Sequence, residues 1–241
     1  MTKPGDIERI TKNRVVKLFQ DELKYRYLGN LEKEENNSNV DETLLTAFLT
    51  KKGYTKNQIS KALYEFYKSV NINTHDDLYQ ANKEVYSQLR YGIKVKEEAG
   101  ENKETVYLID WKNPLENDFA IAEEVTIKGV HNKRPDIVIY VNGIALGALE
   151  LKRSTVSVSE GIRQSNDNQK HIFIKPFFTT IQLVMAGQDV EGLRYAAIDT
   201  PEKYYQKWKE VSEEFNPNDT YLLELTKPIR RSEEHTSELQ S

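Results

Sequence analysis

The stretch from Arg134 to Lys152, Arg-Pro-Asp-Ile-Val-Ile-Tyr-Val-Asn-Gly-Ile-Ala-Leu-Gly-Ala-Leu-Glu-Leu-Lys, leaves the chain the fewest choices. Two apolar, β-branched runs meet at Asn142-Gly143, a pair that tolerates the left-handed conformations of a tight turn, so the stretch predicts a β-hairpin. The runs are almost continuously apolar, the pattern of strands covered on both faces. Three charges stand at its ends. Asp136 opens the first strand, and Glu150 and Lys152 close the second. The strand period of two puts Glu150 and Lys152 on one face and Leu151 on the other. Such charges are costly to bury unless they are paired or used. A plain two-residue loop would pair Asp136 with Leu149 and send Glu150 to the opposite face. A shared face therefore requires an odd loop or a bulge, and we expect one here.

At 241 residues the chain is long enough for a substantial core. No apolar run approaches the ~20 residues of a membrane span. The opening Met-Thr-Lys-Pro-Gly-Asp has no apolar core of an export signal, so a soluble, cytoplasmic protein is expected. The absence of cysteine excludes disulfides and thiolate metal sites, and the four histidines lack zinc spacing. A metal would be held by oxygen ligands, which suits magnesium, calcium or manganese. The net charge of −4 argues mildly against a polyanionic partner. Lys128, His131, Lys133, Arg134, Lys152, Arg153 and Arg163 nevertheless gather around the hairpin, where they read equally as a phosphate-binding patch or as a solvated face.

Apolar residues at helical spacing predict helices over 6–24, 41–52, 55–69 and 74–90, with Gly29-Asn30 as the first stop and Thr55 or Asn57 as a cap. From Tyr91 the pattern turns to strands: 92–97 and 104–110 around a turn at Ala99-Gly100, then 119–127 and the hairpin. A short helix over 159–170 carries Gln164. Strands over 178–185 and 193–198 follow, and a last helix over 201–214 begins at Pro201. Residues 231–241 continue no pattern and look like a translated sequencing adapter, so 229–241 are expected to be a non-native tail.

An aspartate followed after thirteen residues by Glu-x-Lys suits metal-dependent phosphodiester hydrolysis. Two carboxylates can hold a divalent cation, and a lysine beside them can position water or stabilise developing charge. Salt-bridged charges at strand ends are the bland alternative. No phosphate-binding Gly-rich loop ending in Lys-Ser or Lys-Thr is present, and no Gly-x-Ser-x-Gly nucleophile elbow.

The chain resembles the N-terminal part of the restriction subunit (HsdR) of type I restriction-modification enzymes from about Glu8 to Leu225. The resemblance is carried by Thr11-Lys-Asn-Arg-Val-Val16, Leu23-Lys-Tyr-Arg-Tyr-Leu-Gly29 and Asn117-Asp-Phe-Ala-Ile-Ala-Glu-Glu-Val-Thr126. It continues through Arg134-Pro-Asp136, Val141-Asn-Gly143, Glu150-Leu-Lys152, Gly161-Ile-Arg-Gln164, Ile181-Gln-Leu-Val184 and Glu191-Gly-Leu-Arg-Tyr195. It implies an α/β (α+β) fold of the PD-(D/E)xK restriction-endonuclease type, with a central mixed β-sheet flanked by helices. A helical N-terminal part over 1–90 would pack on a nuclease core over 91–228. Asp136 and Glu150 would be magnesium ligands, Lys152 the catalytic lysine, and Gln164 and Glu8 accessory residues. Lys133, Arg134, Arg153 and Arg163 would contact DNA. The implied partners are double-stranded DNA and the methyltransferase and specificity subunits. ATP would belong to a motor lying after residue 230. The sequence departs from the family pattern at Lys12, where related sequences often have glutamine, and in the polar run Ser165-Asn-Asp-Asn168 after Gln164. The alternative is a catalytically silent DNA-docking or assembly domain.

Overall fold

Strand β5 (Ile137–Val141) and strand β6 (Ile144–Lys152) are the hairpin, and a sheet grows outward from them on both sides. The structure is a computed structural model that describes residues 4–96 and 102–208, without the side chains of residues 4–8. Five α-helices are described: α1 (Pro4–Asp21), α2 (Glu42–Lys51), α3 (Lys56–Val70), α4 (Leu78–Tyr91) and α5 (Val158–Asn168). The remaining strands are β1 (Arg26–Asn30), β2 (Ile93–Lys96), β3 (Lys103–Val106), β4 (Phe119–Glu123), β7 (Leu183–Gln188), β8 (Gly192–Ala196) and β9 (Gln206–Lys207).

Seven strands form one mixed sheet in the order β1-β4-β5-β6-β7-β8-β9, and β2 and β3 form a separate antiparallel pair. Within the large sheet, β1 runs parallel to β4 and β6 parallel to β7, and the other pairs are antiparallel. One face packs on α1 through Val15, Phe19, Ile121, Leu149, Leu151 and Met185. The other packs on α5 and the 3₁₀ turn Lys175–Thr179 through Val138, Ala148, Ile162, Phe177 and Phe178. Both faces are therefore dry, as the apolar hairpin required. A further cluster joins α2, α3 and α4 to the β2–β3 pair and to Ile144 next to the hairpin turn. No helix of the described residues is long and apolar enough to cross a membrane.

The local chemistry of the helices is conventional. Asp41 caps α2 and Asp77 caps α4, and Thr55 and Gln58 cap α3 reciprocally. Asp77 starts α4 later than expected, because the chain from Ile72 to Thr74 forms a 3₁₀ turn.

Three expectations are corrected. Residues 25–29 do not end the first helix. Lys24 adopts φ 59, which breaks α1, and the chain continues as β1 beside β4, so the segment before residue 91 is not wholly helical. The strand expected over 178–185 begins only at Leu183. Pro176 starts a 3₁₀ turn there, and Thr180 Oγ1 donates to Ala145 O at 2.7 Å. Pro201 opens a single 3₁₀ turn, Glu202–Tyr204, and β9 follows it where the last helix was expected. The turn at Ala99-Gly100, the remainder of the expected last helix and the tail over 229–241 lie outside the described residues.

Candidate active site

The hairpin meets the parity condition by a bulge, not by its turn. Asn142 and Gly143 have φ 52 and 82, and Val141 pairs directly with Ile144, so the loop is a plain two-residue one. Tyr140 then pairs with Ala145, but Ile139 pairs with Gly147, which leaves Leu146 as the extra residue of a β-bulge. Beyond the bulge Ile137 opposes Leu149, and one further step places Asp136 opposite Glu150. Asp136, Glu150 and Lys152 thus share the α5 side of the sheet.

Helix α5 covers this end of β6. A Cβ on Gly161 would lie 3.1 Å from Ala186 Cβ and 3.4 Å from Lys152 Cγ, so glycine lets the helix approach the strands there. One turn later, Gln164 stands between the acid and the base. Its Nε2 donates to Glu150 Oε2 at 2.6 Å, and its Oε1 accepts from Lys152 Nζ at 2.5 Å. A turn further, Asn168 Nδ2 donates to Glu150 Oε1 at 3.0 Å. Asp136 Oδ2 accepts from the Leu151 N–H at 2.8 Å. Glu150 is 2% exposed. Burial first, and then the neighbouring Asp136, push its carboxyl well above the usual range, against the pull of Lys152 and Lys133.

A cleft of about 350 Å³ opens beside these groups and is shared by Asp136, Lys152, Gln164, Lys12, Glu124 and Arg134. Glu124 follows β4 in a left-handed conformation, φ 51, and its N–H donates to Asp136 O at 3.0 Å. Its carboxylate is ion-paired with Lys12 from α1 and with Arg134 Nε at 2.5 Å. Among the described residues no group of three or more His, Asp or Glu side chains is arranged to hold a metal ion.

The structure therefore brings together Asp136, Glu150, Lys152, Gln164 and Arg134. It does not bring the other expected DNA contacts to the cleft walls. Lys133 Nζ lies 3.9 Å from the Phe173 ring centroid, and Arg163 is held by Glu160 at 2.6 Å and Glu202 at 2.9 Å. Arg153 sits just past β6 and its side chain has no ion pair among the described residues. The side chain of Glu8 lies outside the described residues. Sequence reasoning missed Asn168 as a partner of Glu150, and Glu124 and Lys12 as cleft residues. The four-residue spacing of Gln164 and Asn168 puts both on one helix face and was a usable signal for the first. No local signal announced the conformation of Glu124.

Comparisons with known proteins bear on this geometry. The sequence profile of the family described as Type I restriction enzyme R protein N terminus matches residues 8–203. The "Type I restriction enzyme EcoprrI endonuclease subunit" of Escherichia coli is 34% identical over 70 residues, 29% of this chain and 22% of that one. The "Putative type I restriction enzyme MjaIXP endonuclease subunit" of Methanocaldococcus jannaschii is 33% identical over 92 residues, 36% of this chain and 9% of its own. A Staphylococcus aureus relative, "Type I restriction enzyme SauMSSORF170P endonuclease subunit", is 28% identical over 102 residues, 42% of this chain and 11% of its own. The match thus spans under a quarter of the length of each of these curated relatives. The profile runs through every strand and helix that builds the cleft, and this chain belongs to the family of type I restriction enzyme R protein N termini.

Proposed function

We propose that this chain is the nuclease part of a type I restriction enzyme, with a PD-(D/E)xK core that hydrolyses phosphodiester bonds of double-stranded DNA in a magnesium-dependent reaction. The observation that carries the reading is the Leu146 bulge, which sets Asp136 opposite Glu150 with Lys152 on the same face. The donor set suits a hard divalent cation. It is all oxygen and carries two like charges, and burial first, then the neighbouring Asp136, holds the Glu150 carboxyl above its usual range. Two carboxylates alone suffice for magnesium, which keeps several waters and takes further oxygens from a phosphate. Asp136 and Glu150 would hold the ion, which supplies Lewis acidity toward the phosphate oxygens.

The chain's own residues have separate tasks in this reading. The N–H of Leu151 and the amides of Gln164 and Asn168 fix the two carboxylates before substrate arrives. Gln164 also holds Lys152 Nζ, which positions the attacking water or offsets charge on the phosphate in the transition state. Lys12 and Arg134 supply positive charge at the cleft mouth for the DNA backbone. In the cell the chain would act in the cytoplasm with methyltransferase and specificity subunits, and ATP would be used by a motor in the longer protein.

The test is magnesium-dependent nicking of supercoiled plasmid by the 241-residue chain beside Asp136→Ala and Lys152→Ala. Nicking lost in both variants is expected. Nicking that persists in both overturns the site. Magnesium binding without any nicking by the parent chain would replace the nuclease reading with that of a silent docking domain.

A further inference from the structure

A second concavity, of about 510 Å³, shares no residue with the carboxylate cleft. It lies by the loop after β3, where Asn142 Nδ2 holds Leu108 O at 2.9 Å beside the hairpin turn. Its walls are aromatic, from Phe48, Tyr54, Tyr91, Tyr107 and Trp111, and its charges are Lys52, Arg90, Lys112 and Asp110. The floor is fixed by bonds within the protein. Trp111 Nε1 donates to Leu89 O at 2.8 Å, and the Tyr54 hydroxyl accepts from the Tyr107 N–H at 3.0 Å. Asp110 accepts from the N–H groups of Lys112 and Asn113 at 3.0 and 2.9 Å and pairs with Lys52 at 2.5 Å. Burial raises that carboxyl, but Lys52 and the Asn113 N–H outweigh it and hold it below its ordinary value.

Two tyrosine rings stand open in this pocket, and two of its cations lack a carboxylate partner among the described residues. Tyr91 is 67% exposed and Tyr107 48% exposed. Lys52 and Asp110 cancel, and Arg90 sits 5.4 Å over the Trp111 ring with no carboxylate partner among the described residues. Lys112 has no ion pair among the described residues either. The pocket is therefore positive on a chain whose net charge is −4. Its volume is in the range of small-molecule sites. Two open tyrosine rings and two cations without a carboxylate partner are complementary to a planar, anionic ligand.

We propose that this pocket binds one nucleotide, with its base against the rings of Tyr91 and Tyr107, beside Trp111, and its phosphate near Arg90 and Lys112. The same chemistry is offered by a free nucleotide and by an unpaired nucleotide of a DNA strand. A paired base in a duplex has both faces covered and is excluded. This site is independent of the nuclease reading.

The chain has two tryptophans, so Trp208→Phe leaves Trp111 as the sole indole reporter. That protein is titrated with deoxyadenosine monophosphate, a short oligothymidylate, duplex DNA and deoxyribose 5-phosphate. Quenching of Trp111 by a base-bearing single-stranded ligand, and not by the sugar phosphate, is expected. Saturation by the mononucleotide identifies a free nucleotide as the ligand, and saturation by the oligonucleotide alone identifies an unpaired strand. Tyr91→Ala and Tyr107→Ala, at exposed positions that spare the fold, should each weaken binding about tenfold. Lys112→Ala should weaken it and flatten its salt dependence. The proposal is overturned if no nucleotide quenches Trp111, if the sugar phosphate or the duplex does so equally, or if both tyrosine variants bind like the parent.

Discussion

Replacing Asp136 with asparagine separates the electrostatic cost of the cleft from its architecture. The side chain keeps its shape, and its oxygen can still accept the Leu151 N–H. What disappears is a negative charge opposite Glu150. Directly opposed residues in an antiparallel pair have Cβ atoms about 5 Å apart. Two unit charges at about 5 Å repel by about 3 kcal/mol at an effective dielectric constant near 20, an upper bound. The amides of Gln164 and Asn168 and the Lys152 ammonium already favour the Glu150 anion, so we expect about 1–2 kcal/mol of stabilisation in the presence of a chelator. At about 2–4 °C per kcal/mol, the melting temperature should rise by a few degrees at about pH 8. The pH dependence has a definite sign. The folded Glu150 holds its proton above the ordinary glutamate pKa, so the native state binds more protons there than the unfolded state. Its contribution to stability is therefore intact below about pH 4 and is lost as pH rises through the raised value. The gain from Asp136→Asn should vanish at about pH 4 and grow toward pH 8. Calorimetry across that range, with and without magnesium, is the assay. Magnesium should stabilise the parent and not the variant, while nicking is lost. A variant less stable than the parent near pH 8, or an equal gain at both ends of the range, refutes the reasoning.

Asn142→Ala should cost at least about 3 kcal/mol in urea unfolding. It removes side-chain bonds to Leu108 O, Asn117 Oδ1 and the Asp118 N–H, of 2.9, 2.8 and 2.7 Å, from a fully buried residue at φ 52. A midpoint within a few tenths of the parent's would show that the turn does not depend on them. Deleting Leu146 should abolish nicking by moving Glu150 and Lys152 to the α1 face of the sheet, and a folded deletion variant with parental nicking would contradict the bulge argument. Glu124→Gln should free Lys12 and leave Arg134 with Glu32 alone as its carboxylate partner among the described residues, giving tighter duplex binding with a steeper salt dependence; unchanged affinity would mean that these pairs do not compete with phosphate.

The legible parts of the chain are those whose signal is local. Helices α2 to α4 carry apolar spacing and capping side chains, and the hairpin carries Asn142-Gly143 between two apolar runs. Strand β1 was hidden because it lies at a sheet edge with its middle residues only half-buried, so no inside–outside alternation appears. Its Gly29, at φ 111, also reads as a helix stop. The apolar run at Phe177-Phe178 looked like a strand because periodicity cannot tell a strand from a tight helical turn over so few residues. Asp136, Glu150 and Lys152 were legible from one hairpin. Asn168 and Glu124 were not, because their places depend on α5 docking through Gly161 and on a backbone reversal at the end of β4.

The bulge answers two demands that conflict within one hairpin. The Asn142-Gly143 turn fits a tight two-residue loop, which fixes an even register, and the charged end needs the odd one. One extra residue in β6 satisfies both, and the core records the change of parity. Ala145 and Ala148, three residues apart, belong to the same apolar cluster, which an unbroken strand could not achieve. Ile144 on the turn side and Leu146 in the bulge itself pack into the cluster of α2, α3 and α4. On the far side, Leu149 and Leu151 pack beneath α1 and leave Glu150 and Lys152 to α5. Leu146 therefore lets a single strand serve two apolar cores and still deliver its charges to one cleft. The position of the extra residue matters more to that outcome than its identity, so a conservative replacement such as Leu146→Met should keep nicking intact where the deletion abolishes it.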